Sequence, residues 1–198
     1  MQIIQKQDFD FRFDASELYS ILEKFPPLNS NIWLCAGSIR RIILGQNLED
    51  GDLDFFFTSE SELNAFNDCI IKNIGVQKSN EKVKDLNISF DAKINDKKYK
   101  VQLIKMYHPN IESLFKEFDY TLCQTGFDGI NYYFGDFSLK DIVEKKIIVN
   151  KITYPISSMR RILKYSRQNF WMCPQQMEIF LTQTQNLGTL NNKVISVD

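Results

Sequence analysis

Two carboxylates that stand two positions apart, Asp52 and Asp54, are the residues of this 198-residue chain best placed to do chemistry. They begin the apolar run Asp52–Phe57, which predicts a β-strand. Residues two apart in a strand point to the same face, so both carboxylates lie together while Leu53 packs on the other side. Two ionised carboxylates repel each other unless a cation lies between them, and Mg²⁺ takes one or two carboxylates together with substrate phosphates. The pair therefore predicts a magnesium site, the alternative being a solvated acidic turn.

A Gly-Ser turn upstream predicts the part of the site that holds phosphates. Gly37 and Ser38 lie between a buried strand predicted over 31–36 and an amphipathic helix predicted over 39–44. Free backbone N–H groups at such a turn suit the terminal phosphates of a nucleotide, and Arg40 can add a charge-assisted contact. Together with a metal ion that lowers the pKa of the attacking hydroxyl, these parts indicate phosphoryl or nucleotidyl transfer.

Charge is distributed unevenly along the chain. The formal net charge of −1 excludes a uniformly basic protein that coats nucleic acid. However, residues 145–167 contain seven of the 24 basic side chains and no acidic one. On a helix predicted over 156–165, Arg160, Lys164 and Arg167 fall on one face, which is either a phosphate-contacting surface or a solvated face.

Cysteine spacing and hydropathy exclude other classes of protein. The four Cys residues form no CxxC pair, so we expect reduced thiols rather than a zinc ribbon or a disulfide framework. No apolar run approaches the roughly 20 residues of a membrane span, and the first residues do not resemble a signal peptide. We expect a cytoplasmic protein without a membrane partner.

Five segments resemble, in the same order, motifs of the polymerase-beta-like nucleotidyltransferase superfamily. The resemblance is closest to the head domain of bacterial-type poly(A) polymerases and CCA-adding tRNA nucleotidyltransferases. Residues 36–45 are similar to the GGxVRDxLLG motif of that family, and Asp52-Leu53-Asp54 is similar to its DxD motif. Further along, residues 118–124, 139–142 and 159–165 are similar to its RRDFTxNA segment, its short DL-containing loop and its LRxxRF helix.

The resemblance implies a fold and a set of roles. The fold would be α+β, a small mixed β-sheet nucleotidyltransferase head with flanking helices and a short C-terminal helical segment. The activity would be Mg²⁺-dependent transfer of a nucleoside monophosphate from an NTP to an acceptor hydroxyl, with RNA of a tRNA-like kind as acceptor. Asp52 and Asp54 would bind the metal and Gly37 and Ser38 the β and γ phosphates, with help from Arg40. Asp119 would brace the site or contact the sugar, and Arg160, Arg161 and Lys164 would contact the nucleotide.

The chain departs from that family at Ala36 and Arg41, which the first motif tolerates, and at three further places that bear on function. Glu117-Phe118 replaces an Arg pair, and Tyr154–Ser158 replaces the base-reading EDxxR motif, so CCA templating is not supported. Gln102 stands where the superfamily usually has a third carboxylate. A β-hairpin predicted around a turn at 95–98 would place Asp91 directly across from Gln102, on the same face. We therefore expect Asp91 to supply the missing catalytic carboxylate; the alternative is that it is a solvated strand residue.

These departures leave two other functions open. One is a catalytically weakened protein that binds nucleotide or RNA on the same fold. The other is a toxin-like or regulatory nucleotidyltransferase that modifies tRNA or protein. In either case we expect a nucleotidyltransferase-like domain over 1–150, a helical neck-like segment over 151–187 and a flexible tail over 188–198.

Overall fold

An eight-stranded mixed sheet forms the centre of the computed structural model, which describes residues 1–72 and 76–187. In chain order the strands are β1 (Gln2–Gln5), β2 (Ile32–Cys35), β3 (Asp52–Phe57), β4 (Gln77–Val83), β5 (Asn87–Ile94), β6 (Lys97–Tyr107), β7 (Thr125–Phe127) and β8 (Asn131–Phe134). Their order across the sheet is β1-β8-β7-β2-β3-β6-β5-β4. Among the described strands only the β3–β6 pair is parallel.

Helices flank this sheet, and the fold is the α+β class that the sequence predicts. The helices are α1 (Lys6–Asp10), α2 (Ser16–Leu22), α3 (Gly37–Ile43), α4 (Glu60–Lys72), α5 (Ile111–Phe115), α6 (Ser138–Val143), α7 (Pro155–Ser166) and α8 (Pro174–Asn186). Two 3₁₀ helices span Leu48–Asp50 and Thr121–Cys123. No helix in the described part of the chain is both long and apolar enough to cross a membrane.

The main hydrophobic core fills one face of the sheet. Period-two alternation in β5 and β6 directs apolar side chains to this face, where Phe90, Val101 and Leu103 are buried. The ring of Phe66 from α4 packs on Phe55 of β3, with 5.0 Å between the ring centroids. Each such aromatic side chain stabilises the fold by about 1.5–3 kcal/mol on burial. The opposite face of β3 carries Asp52 and Asp54, followed by Phe56, which is buried in a smaller hydrophobic cluster with Trp33 and Ile104.

A second core attaches the C-terminal helices to residues 120–152. Its buried members include Tyr120 and Tyr165, whose rings meet edge to face at 6.0 Å. The hydroxyl of Tyr120 also donates a hydrogen bond of 2.8 Å to the carbonyl oxygen of Ser158 in α7. These contacts hold α7 next to the start of β3.

Most predicted elements appear at or near their predicted positions. The strand over 52–57 has the predicted bounds, and the helix predicted over 39–44 begins two residues earlier, at Gly37. The extended segment predicted over 119–127 is interrupted by the 3₁₀ helix at 121–123 before β7 begins. The helix end predicted at Gly75 and the tail predicted over 188–198 lie outside the described residues.

The register predicted for the β5–β6 hairpin is wrong. The turn is two residues long, Asn95 and Asp96, and both have positive φ values of 49° and 63°. Such a turn matches the twist of the flanking strands, so Ile94 pairs with Lys97 rather than with Tyr99. Asp91 consequently pairs with Lys100, and Ser89 is the residue opposite Gln102.

Candidate active site

A cleft of about 310 Å³ brings together residues from the start of β3, the first turn of α3 and the exposed side of α7. Most residues that the sequence predicts for the site line it: Gly37, Arg40, Asp52, Asp54, Asp119, Arg160, Arg161 and Lys164. Ser38 adjoins the cleft, but its side chain is buried and is not part of the lining. Asp91 does not line the cleft either.

The two β3 carboxylates lie on the sheet face that the cleft exposes. Asp54 is opposite Cys35 in β2 and Gln102 in β6, whereas Asp52 is opposite Lys100. Burial, and then the charge of Asp52, raise the pKa of Asp54 from its ordinary value of 3.8 to about 7. The strain is therefore electrostatic: two acids share a site in which one of them is shielded from water.

A carboxylate oxygen of Asp54 without a hydrogen-bond partner indicates that a cation fits here. Its Oδ1 atom is buried and has no hydrogen-bond partner among the described residues. A buried carboxylate oxygen without a partner is costly, and a divalent ion between the two acids would relieve both that cost and their repulsion. Within residues 1–72 and 76–187 no group of three or more His, Cys, Asp or Glu side chains is arranged to hold a metal. The donor set is thus two carboxylates, which suits Mg²⁺ bound jointly with substrate phosphates.

Arg40 is a buried cation, and two of its nitrogen atoms have no hydrogen-bond acceptor among the described residues. Only 5% of Arg40 is exposed, and its Nε and Nη1 atoms make no hydrogen bond within the described structure. The guanidinium lies over the ring of Tyr165, 4.8 Å from the ring centroid. Since Arg40 also lines the cleft, its guanidinium can provide a charge-assisted contact to an anion bound there, such as a phosphate.

The backbone at Ala36 forms a sharp turn at the edge of the cleft. Its φ of 60° is unusual for a residue with a side chain. Thr125 supports the turn from β7, because its carbonyl oxygen accepts a hydrogen bond from the Ala36 N–H at 2.9 Å and its hydroxyl donates to the Ala36 carbonyl oxygen at 3.1 Å. This turn directs Gly37 into the cleft.

Helix α7 forms the basic wall of the cleft. Arg160 and Lys164, one turn apart, are exposed and line the cleft. Arg161 instead points towards the protein and donates a 2.7 Å hydrogen bond to Asp119. The wall therefore presents two solvated cations to a ligand while a third fixes the helix.

The structure does not bring Asp91 to Asp52 and Asp54. Lys100 lies between them, paired with Asp91 in β5 and with Asp52 in β3. The Asp91 carboxylate accepts a hydrogen bond from Asn80 at 2.7 Å and forms an ion pair with Lys98 at 2.9 Å. The hypothesis that Asp91 supplies a third carboxylate rested on the wrong hairpin register. The observed register differs by two residues, so Asp91 pairs with Lys100 instead of Gln102.

Sequence reasoning missed two residues that the structure places at the site. Lys100 reaches Asp52, with 3.2 Å between Nζ and Oδ1, and Tyr165 stacks under Arg40. Lys100 could have been found, because it stands two positions before Gln102 and must share its face of β6. Tyr165 ends the segment that resembles the LRxxRF helix, but only the packing of α7 places it under α3.

Comparison with known proteins reveals one family and one fold. A sequence model described as "Gabija anti-defense 2 family protein" matches residues 4–145. The curated protein "Gabija anti-defense 2" of Bacillus phage SPbetaL7 is 29% identical over 181 residues, which are 87% of this chain and 43% of that protein.

Solved structures of tRNA-processing enzymes share the fold at low sequence identity. A CCA-adding enzyme in complex with CTP has a TM-score of 0.65 and 17% identity over 95% of this chain and 46% of its own. The Thermotoga maritima CCA-adding enzyme complexed with tRNA has a TM-score of 0.63 and 16% identity over 94% of this chain and 47% of its own. A tRNA-processing enzyme with CTP has a TM-score of 0.53 and 20% identity over 88% of this chain and 45% of its own.

Sequence identity and coverage determine what these relatives establish for this chain. The chain spans less than half the length of the curated relative and of these three structures. At such identities the structures establish the fold, whereas the family match extends over most of the chain. The chain belongs to the Gabija anti-defense 2 family.

Proposed function

We propose that this protein is a metal-dependent nucleotidyltransferase that moves a nucleoside monophosphate from an NTP to an acceptor hydroxyl. The observation that carries the proposal is the composition of one cleft, in which Asp52 and Asp54 face the cations Arg40, Arg160 and Lys164. A carboxylate pair and an anion-binding wall at one site are what in-line transfer from a triphosphate requires.

Asp52 and Asp54 would hold Mg²⁺ in this scheme. The ion, when bound, would neutralise charge that develops on the transferred phosphate and lower the pKa of the acceptor hydroxyl. The raised pKa of Asp54 supports this assignment, because burial and Asp52 penalise its ionised form until a cation is present. A bound cation would therefore favour the ionised form of Asp54.

The cations would orient the triphosphate. Arg40 supplies buried donors at the floor of the cleft, and Arg160 and Lys164 supply solvated charges along its wall. Gly37 lets the backbone approach the phosphates closely, since it has no side chain at the cleft edge. The aromatic side chains of Phe118 and Tyr154 also line the cleft and would provide an apolar surface for the base.

We infer an RNA hydroxyl as the acceptor, and we propose that this transfer serves the anti-defence role that the family's name indicates. Support for RNA comes from the basic wall on α7 and from the fold, which is shared with enzymes solved with tRNA and CTP. The family's name refers to counteraction of Gabija, so we propose that the transfer product impairs that defence. In the toxin-like alternative the acceptor is either a tRNA or a protein side chain.

A binding-only function is the second candidate, and Gln102 favours it. This neutral residue lies opposite Asp54 on the parallel neighbour strand, where the superfamily usually has an acid. The site would then bind a nucleotide and transfer it slowly or not at all.

One experiment separates these functions. The purified chain is incubated with Mg²⁺, each α-³²P-labelled NTP, and either total RNA or a protein extract from a bacterial host. Label in RNA supports the proposed RNA acceptor, label in protein favours the toxin-like alternative with a protein acceptor, and nucleotide binding by calorimetry without label in either favours the binding-only function. Asp52→Asn and Asp54→Asn should abolish labelling, whereas Asp68→Asn, which removes an exposed carboxylate from α4, should preserve it.

A further inference from the structure

We propose that Lys100 is a built-in cation of the site, so that the chain uses a single divalent ion where a carboxylate triad would hold two. The proposal rests on the proposed function, because it concerns the metal that Asp52 and Asp54 would bind. It adds a role for a residue outside the resembling motifs and a metal stoichiometry.

Register places Lys100 between two acids on one face of the sheet. It pairs with Asp52 across the parallel β3–β6 ladder and with Asp91 across the antiparallel β5–β6 ladder. Cross-strand neighbours on one face are close enough for their side chains to interact directly. Asp52, Lys100 and Asp91 thus form an acid–base–acid row that runs from the cleft onto the open sheet.

The ammonium group of Lys100 is committed to Asp52 within this row. Its Nζ atom is 3.2 Å from Oδ1 of Asp52. Asp91 does not compete for it, because Lys98 forms an ion pair with the Asp91 carboxylate at 2.9 Å and Asn80 donates a hydrogen bond to it at 2.7 Å. The side chain of Asp52 is 14% exposed and that of Lys100 is 48% exposed, so the carboxylate is shielded from water while the ammonium group remains accessible to it.

Asp54 has no further acid beside it on the β6 side. The opposite residue, Gln102, is 2% exposed, and its Oε1 atom accepts a 2.9 Å hydrogen bond from Nδ2 of Asn87, itself 3% exposed. A neutral amide whose oxygen is already engaged adds no negative charge to the site. A second divalent ion would therefore rely on Asp52, where it would meet the positive charge of Lys100.

The position of the Lys100 charge limits the number of divalent ions at the site. Arg40, Arg160 and Lys164 also line the cleft, but Lys100 is the cation that forms an ion pair with Asp52. A second divalent ion at Asp52 would have to displace this ammonium group or be repelled by it. One divalent ion held at Asp54 would avoid both costs.

Mn²⁺ bound to the full chain with a non-hydrolysable NTP analogue tests the proposal, with electron paramagnetic resonance as the readout. We expect one Mn²⁺ per wild-type chain and no Mn–Mn coupling. Lys100→Met should add a second ion that couples to the first and should tighten binding of the first roughly thirtyfold, as removal of a unit charge about 4 Å from a divalent ion predicts for screening by water. Lys98→Met, which removes a neighbouring ammonium that contacts Asp91 instead, is the matched control and should behave as wild type.

The outcomes distinguish this proposal from the proposed function. The role of Lys100 would be overturned, and the proposed function left intact, by either of two results. One is two coupled ions in the wild type; the other is a Lys100→Met variant with unchanged metal number and affinity. If an Asp52→Asn, Asp54→Asn double variant binds Mn²⁺ as tightly as wild type, the carboxylates hold no metal, and both proposals fail. Lys100→Gln serves as a second variant if the Met variant is poorly folded, because it removes the charge and keeps a polar side chain at an exposed position.

Discussion

Arg161 in α7 donates a hydrogen bond from Nη1 to Oδ2 of Asp119 over 2.7 Å, and this ion pair joins the wall of the cleft to the segment that follows α5. Only 9% of the Asp119 side chain and 27% of the Arg161 side chain are exposed. Arg161 thus fixes α7 next to the site, and its charge also favours the ionised form of Asp54.

Asp119→Asn should destabilise the protein by about 1.5–3 kcal/mol, the usual range for a hydrogen bond to a charged group. The free energy of unfolding in urea measures this loss, and a double-mutant cycle with Arg161→Gln should give a coupling energy above about 1 kcal/mol. The exposed pair Lys151 and Glu117, also at 2.7 Å, is the matched control and should couple by less than about 1 kcal/mol. Equal coupling energies in the two pairs would contradict the role of the Asp119–Arg161 pair in holding α7 in place.

Asp54→Asn should stabilise the protein without metal, increasingly so as the pH rises. Burial and Asp52 raise the pKa of Asp54 to about 7 in the folded state, against 3.8 ordinarily. The folded state therefore binds a proton that the unfolded state has lost, and this contribution to stability disappears as the pH rises through 7. The Tm difference between variant and wild type should be small at pH 4, grow to pH 7 and then stay level.

At pH 8 we expect a gain of at least about 1 kcal/mol from Asp54→Asn, or roughly 2–4 °C in Tm for a chain of this size. Thermal unfolding in EDTA, followed by circular dichroism from pH 4 to 8, measures it. Asp68→Asn should show no such trend, because Asp68 is exposed. A pH-independent difference for Asp54→Asn would mean that this carboxylate is not held in the unfavourable ionised form.

Arg40→Met should improve stability and weaken NTP binding at the same time. The buried guanidinium has unpartnered donors in the described structure, so an apolar side chain of similar length relieves their desolvation. Loss of a charge-assisted contact to phosphate should raise the Kd for an NTP roughly 10- to 100-fold, or about 1.5–3 kcal/mol. Calorimetry and urea unfolding measure the two effects. Arg12→Met, at an exposed site away from the cleft, should change neither by much.

Asp91→Asn should leave nucleotide transfer within about twofold of wild type, in contrast to Asp52→Asn. Asp91 does not line the cleft, and its partners Asn80 and Lys98 belong to the open part of the sheet. The rate of label transfer under saturating NTP and Mg²⁺ measures the difference. A loss of transfer rate as large as that caused by Asp52→Asn would show that Asp91 takes part in catalysis.

The sequence predicts secondary structure correctly where the pattern lies within neighbouring residues. Period-two alternation predicted β5 and β6, and the apolar run after Asp54 predicted β3 with its observed bounds. The hairpin register was not readable in the same way, because four polar residues allowed more than one turn length. The positive φ angles of Asn95 and Asp96 selected the two-residue turn, and every pair in the ladder moved with it.

The sequence by itself determined that Asp52 and Asp54 share a face of one strand, since that follows from backbone geometry alone. Their neighbours were decided only by tertiary structure. Lys100 lies 48 positions after Asp52 in the chain and meets it because β3 and β6 pair in parallel, a register that long-range packing selects. The same is true of Arg40 over Tyr165, which come together only when α7 docks on the second core. Local pattern thus specified the acids, and the assembled sheet and helices specified the charges around them.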